Sequence, residues 1–381
     1  MSVASTIKNA IDKFKVDETA PFFAIAPTGS YGGVNSGIKS AYRIKSKDPL
    51  TKSVVISSGI LSNNSKNSSP MFVSLTNFGS NWVQSASDQG TWTSVSSSAS
   101  GQYQSAVTRD YIYVSSNFGV TWTQSNSPQK YWQAVSLSAS GQYQTALSIT
   151  APSGGGDGGP DYIYVSTDFG NTWTLSNSPQ KKWLSVSLSD SGQYQTAVVL
   201  NGYIYISSDF GVTWTQSNSL EKYWFSVSLS ESGQYQTAVS TGNNYIYAST
   251  DFGNTWTESN SPQKNWQSVS ISASGQYQTA IAYNDYIYTS SDFGNTWTLS
   301  NSLQKFWKSV SINSSSGRYQ IAVASDSDYI YVSSDFGNTW TQSNSLQKIW
   351  QSVSLSASGQ YQTAVAYNDY IYTCVSPPTV P

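Results

Sequence analysis

Histidine is absent from the 381 residues, and Cys374 is the only cysteine. Without histidine there is no imidazole acid–base catalyst and no histidine-ligated metal. A single thiol makes neither an internal disulfide nor a zinc cluster, which fits a reducing compartment, although a large β-protein outside the cell also manages without bridges. Charge is scarce as well. Asp, Glu, Lys and Arg make up 10% of the chain, against roughly 25% in typical globular proteins, so hydroxyls and amides must solvate the surface. No run approaches the ~18 apolar residues of a membrane span, and residues 1–20 lack the apolar core of a signal peptide. These absences lead to the expectation of a soluble chain made in the cytoplasm, without membrane insertion; display on a virion or cell surface is compatible with them. No cofactor or metal is expected.

Aromatic residues are 14% of the chain, far too many for disorder, and most recur at fixed places. The stretch Ser207-Ser208-Asp209-Phe210-Gly211-Val212-Thr213-Trp214 returns as Ser166 to Trp173, Ser249 to Trp256, Ser290 to Trp297 and Ser333 to Trp340. Weaker copies, with Asn for Asp, end at Trp82 and Trp122. Ten residues after each of these tryptophans stands another: Trp92, Trp132, Trp183, Trp224, Trp266, Trp307 and Trp350. All 14 tryptophans thus fall into pairs within a repeat of about 41 residues, and a repeat overrides any domain count based on length.

Charge divides the chain. Residues 1–66 hold nine Lys/Arg against four Asp/Glu, a net of +5, while residues 67–381 hold ten against seventeen, a net of −7. No basic patch in the repeats suggests nucleic acid. In the N-terminal part, Ile7, Ala10, Ile11 and Phe14 are spaced for a short amphipathic helix over residues 4–15. Residues 40–57 read as two degenerate strands and residues 58–70 as an Asn/Ser-rich linker. Asn63, Asn67 and Asn313 lie in glycosylation sequons, weak patterns in so Asn/Ser-rich a chain. The expected division is an arm and linker over 1–69, a repeat domain over 70–376 and a tail over 377–381.

One unit shows the logic of the repeat. After Trp183, Ser185-Val186-Ser187-Leu188 alternates apolar and hydroxyl residues as a first strand, and Asp190-Ser191-Gly192 turns it. Tyr194 to Val199 is a second strand, Asn201-Gly202 a hairpin signal, Tyr203 to Ile206 a third strand and Thr213 to Gln216 a fourth. Four short antiparallel strands per repeat is the arithmetic of a β-propeller blade. The fold expected is all-β, with six complete units and a seventh made by joining the two ends. Eight blades is the alternative if residues 40–57 supply two more blade strands.

The pattern Ser-x-Asp-x-Gly-x-Thr-Trp resembles the Asp-box, or BNR repeat, over residues 71–376. The resemblance implies the propeller fold of sialidases, some glucan hydrolases, sortilin-type receptors and photosystem II assembly factors. In those families the box is a structural turn at the blade periphery. It implies the same role for Asp168, Asp209, Asp251, Asp292 and Asp335 and for Trp173, Trp214, Trp256, Trp297 and Trp340. The physics agrees, because Asp ties up backbone amides in a turn and Gly permits a positive φ.

A sialidase would hold a substrate carboxylate with three converging arginines. This chain has only Arg43, Arg109 and Arg318, and the strand order puts Arg109 and Arg318 on opposite faces. Glycosidases need two carboxyls about 5–10 Å apart, yet the acids outside the boxes lie mostly in loops. Inner strands that all read Val-Ser-(Leu/Ile)-Ser predict a pseudo-symmetric funnel with no asymmetric cluster. The expectation is therefore a non-enzyme, with a sialidase-like hydrolase as a lesser alternative.

The loops that lead into the second tryptophan of each pair share a face with the hairpins between second and third strands. Six of these loops carry Lys130, Lys181, Lys222, Lys264, Lys305 and Lys348, followed by variable residues including Tyr131, Tyr223 and Phe306. Such a ring suits multivalent binding of a glycan or anionic group. The plainer reading is that the lysines solvate the loop while Trp132 and its equivalents plug gaps between blades. The Gly-rich insertion at residues 151–160 reads as a flexible loop. The expected partner is a glycan or a protein, with residues 1–69 as a docking arm for a larger assembly.

Overall fold

The computed structural model describes residues 78–150 and 159–376 in full, together with the backbone of the strands Phe14–Val16, Ile25–Pro27, Lys39–Lys45, Val55–Leu61 and Phe72–Val73. The chain divides into two compact units, residues 1–77 and 78–381. In the first unit Phe14–Val16 pairs with Ile25–Pro27. Lys39–Lys45, Val55–Leu61 and Phe72–Val73 form a separate antiparallel sheet. The helix expected over residues 4–15 lies outside the described residues, except where its end falls in the strand at Phe14–Val16. The insertion at 151–158 lies outside them too.

The second unit is a β-propeller with no helix among its described residues. Trp183–Leu188, Gln195–Val199, Ile204–Ser207 and Thr215–Gln216 form one four-stranded antiparallel sheet in sequence order, as the apolar–hydroxyl alternation and the Asn201-Gly202 turn predict. The second strand is buried at every position because blades cover both of its faces. Five such sheets stand alone, and an eight-stranded sheet contributes two more blades, seven in all. The seventh is built from both chain ends. Trp350–Leu355, Tyr361–Asp369 and Ile371–Val375 supply three strands, and Trp82–Gln84 adds the fourth through Tyr372↔Gln84, Thr373↔Val83 and Cys374↔Trp82. Phe72–Val73, just before the first weak Asp-box, pairs with Val55–Leu61 in the first unit.

Four hydrogen-bonded or packed hoops join the blades, and all but the first explain a recurrent residue. At the turns after the inner strands, backbone amides run from Ala99 to Ala139, Asp190, Glu231, Ala273, Ser314/Ser315, Ala357 and back to Ala99, seven bonds of 2.8–3.1 Å. The serines on either side of the inner-strand valine accept from the next inner strand: Ser185 Oγ from Val227 N at 3.4 Å and Ser187 Oγ from Leu229 N at 3.1 Å. Edge amides that would otherwise invite foreign strands are thereby occupied. One layer out, Thr237 Oγ1 donates to the buried Gln278 Oε1 of the next blade at 2.7 Å, and the same belt recurs at five other seams. It breaks once: Ile321 stands where the others have Thr or Ser, and Gln362 Oε1 is left buried without a partner. The last hoop is aromatic, with seven Tyr–Phe ring pairs across the seams at 4.3–5.0 Å between centroids.

The second tryptophan of each pair is the largest fully buried side chain of its blade. Trp183 packs with Leu147 and Ile163 of the preceding blade as well as with Val186, Ala197 and Trp214 of its own. These rings plug the gaps between blades, as the plainer sequence reading had it.

Candidate functional site

The propeller presents two ends with different chemistry. On one lie the Asp-boxes. Ser207 Oγ donates to Asp209 Oδ1 at 2.8 Å and accepts from Gly211 N at 3.0 Å; Thr213 gives Asp209 its amide at 3.0 Å and its hydroxyl at 2.6 Å. Trp214 Nε1 donates back to Gly211 O at 2.9 Å. Gly211 has φ +81°, and a Cβ there would lie 2.6 Å from Gln195 Oε1. Phe210 is itself left-handed at φ 62°, an unusual state for a bulky residue. Its ring packs on Tyr143 of the preceding blade at 4.6 Å, which accounts for the strain being tolerated. Asp168, Asp251, Asp292 and Asp335 repeat these bonds, and Trp173, Trp256, Trp297 and Trp340 repeat the indole bond. Burial opposes ionisation of the Asp209 carboxyl, but the Thr213 and Ser207 hydrogen bonds outweigh it and hold the pKa below the usual range. With their oxygens occupied by their own turn, these acids are poorly placed to act as bases or metal ligands.

The opposite end carries the lysines, and most of them are engaged. Lys130, Lys264, Lys305 and Lys348 form ion pairs with Asp161, Asp285, Asp328 and Asp369 at 2.8, 2.7, 2.6 and 2.5 Å. Lys222 donates to Asn244 Oδ1 at 3.0 Å. Each ammonium also lies 5.0–6.0 Å from the centre of a third-strand tyrosine ring. Backbone bonds tie the same residues to the preceding blade, as in Lys305 N to Asp285 O at 3.0 Å. The lysines are thus clasps between neighbouring hairpins. Burial depresses the pKa of Lys305, but its bonds to Asp328 and Tyr331 more than reverse that and raise it. Lys181 differs: the position that supplies an acceptor to the other ammonium groups is Gly202, and among the described residues its own ammonium meets the Tyr205 ring alone, at 6.0 Å.

What varies on this end is the apolar and aromatic decoration. Tyr223 and Tyr283 are half exposed, and Phe306 packs on Tyr283 at 5.1 Å. Where other loops have Pro128, Pro179 and Pro262, three have Leu220, Leu303 and Leu346, each 59–61% exposed. Between the first two blades, Arg109, Asp110, Gln129, Lys130, Tyr131, Ile149, Thr150 and Asp161 line an open recess of about 380 Å³. Arg109 stacks over Tyr367 at 5.9 Å. Arg318 lies at the other end, donating to Ser334 O at 2.9 Å, so the two arginines do not converge.

Two departures from symmetry escaped the strand pattern. Asp190 and Glu231 are adjacent links of the turn hoop, and burial with the Glu231 charge pushes the Asp190 carboxyl up to about 6. Lys308 occupies the bulge of one inner strand, where the other blades have Thr93, Gln133, Leu184, Phe225, Gln267 and Gln351. Aligning the residue after each second tryptophan reveals it.

The BNR-Asp box repeat family matches residues 112–125, 287–299 and 330–343. The chain thus carries BNR-Asp box repeats on a β-propeller fold. Among solved structures it is similar to YCF48 from Cyanidioschyzon merolae, at 14% identity and a TM-score of 0.59, over 78% of this chain and 99% of that one. A structure of YCF48 bound to D1 peptide matches at 14% identity and 0.59, over 80% and 99%. The GH74 enzyme of Niastella koreensis matches at 16% identity and 0.58, over 77% of this chain but 53% of that one. At such identities the likeness shows the fold alone. Comparison with curated protein sequences gives no match. No described helix is long and apolar enough to cross a membrane.

Proposed function

We propose that this propeller is a non-catalytic binding module acting through its lysine-bearing loop face, with lectin-like recognition of glycans as its sharpest form. The observation that carries the reading is where variation falls. The Asp-box end repeats its contacts blade after blade, while the loop face changes from blade to blade and exposes Tyr223, Tyr283, Leu220, Leu303 and Leu346. The recess beside Arg109 and Tyr131 combines a cation, an aromatic ring and hydrogen-bonding groups in a volume suited to a single sugar. Absence of catalysis is supported by the missing histidine, by arginines at opposite ends and by Asp-box carboxylates committed to their turns. Because most of the lysines are neutralised by aspartates, they shape and hold the sites more than they supply free charge.

A glycan array with the wild type, an Arg109→Ala/Tyr131→Ala variant and a Lys222→Ala/Lys264→Ala/Lys305→Ala variant tests this. Binding lost in the first variant places the site at the recess, and binding lost in the second places it on the lysine ring. No binding by the wild type sinks the glycan form. It would favour a second reading, in which the propeller is a protein-binding component of a larger assembly docked through residues 1–69. The net +5 of residues 1–66 and the exposed leucines support that reading. So does the similar fold of YCF48, whose structure includes a bound peptide. Turnover of a fluorogenic sialoside or glucan would overturn the non-enzyme reading.

A further inference from the structure

Lys308 is the one charged side chain on the seven inner strands. It is half-buried, and no carboxylate or hydrogen-bond acceptor among the described residues meets its ammonium; burial alone pulls its pKa down. An unpaired charge held partly out of water is costly and invites a functional explanation. The bulge positions form a ring, because neighbouring inner strands are stitched at the adjacent residue: Ser268 Oγ accepts from Val310 N at 3.5 Å and Ser309 Oγ from Val353 N at 3.3 Å. On either side of Lys308 in that ring stand Gln267 and Gln351, both potential amide donors. Beyond Gln267 the ring turns apolar, with Phe225 and then Leu184.

We propose that Lys308, flanked by Gln267 and Gln351, binds the carboxylate of a small organic acid whose hydrocarbon part lies toward Phe225 and Leu184. One lysine and two neutral amides match a single negative charge. A phosphate dianion would remain half neutralised in the same half-buried place, which favours the carboxylate. The site does not depend on the loop-face reading, since it shares no residue with it.

The test is thermal unfolding of the full chain with hexanoate, acetate or inorganic phosphate at matched ionic strength. Hexanoate near saturation is expected to raise the wild-type Tm by about 2–4 °C, acetate by less, and phosphate no more than chloride. Lys308→Gln, the residue found in three other blades, is expected to have a higher Tm without ligand and to lose the hexanoate response. Phe225→Gln should reduce the hexanoate response to that of acetate. A Lys308→Gln variant that still responds like the wild type overturns the site, as does a wild type that ignores hexanoate. A phosphate shift equal to that of hexanoate overturns the carboxylate assignment.

Discussion

The two ends of the propeller handle repetition differently. At the Asp-box end, Ser207, Asp209, Gly211, Thr213 and Trp214 make the same bonds as their counterparts in four other blades, at distances that scarcely change. At the loop end the lysine clasp keeps its form, but the partner position is Asp161, Asn244, Asp285, Asp328 or Asp369, or, opposite Lys181, Gly202, which has no side chain to offer. The residues around it shift between Pro and Leu, and between Tyr, Phe, Asn, Lys and Ile. A turn whose bonds close within eight residues tolerates little change. A loop whose backbone is already held by the neighbouring hairpin is freer to change its side chains, and that is where recognition commonly resides.

This contrast can be broken from either side. Gly211→Ala should be the most damaging change, about 2–4 kcal/mol, because it adds strain at a positive φ and a clash with Gln195; chemical denaturation measures it. Thr237→Val should cost about 1–3 kcal/mol by leaving the buried Gln278 Oε1 without its donor, mimicking the break that Ile321 already makes. A loss below about 0.5 kcal/mol would show the belt to be incidental to stability.

Two pH effects of opposite sign follow. The Asp-box pKa values lie below those of the unfolded chain, so their contribution is present above the unfolded value of 3.8 and is lost as pH falls through the folded one. Asp190 is raised from 3.8 to about 6, so its contribution is full below 3.8 and declines as pH rises toward 6. Asp190→Asn should flatten the stability profile between those two values, which a Tm series in matched buffers would detect. On the loop face, Tyr223→Ala should change stability by less than about 0.5 kcal/mol while weakening whatever ligand the face holds. A large stability loss there would remove the contrast between the two ends.

Much of this was legible beforehand. The Asp-box gave its turn, its glycine and its tryptophan, and the paired tryptophans gave the blade period. The left-handed Phe210 was not foreseen, because nothing local favours it; its ring partner Tyr143 lies in another blade. The lysines were visible as a ring, but their aspartates belong to hairpins about 20–30 residues further on. Lys308 does not stand out in the sequence because it lies outside the alternating Ser-Val-Ser-(Leu/Ile) strand pattern, in a bulge whose equivalents form a ring of their own only in the folded propeller.

The sequence alone therefore determined the elements whose hydrogen bonds close within one unit: the boxes, the hairpins and the four-strand blade. Tertiary structure decided what must close over a distance. Trp82–Gln84 completes the last blade against Ile371–Val375 at the far end of the chain. The Gln belt is continuous except at Ile321, and the serines seal the inner edges. The physical reason is that a donor's need is written locally, while its acceptor is supplied only when the ring brings distant repeats side by side.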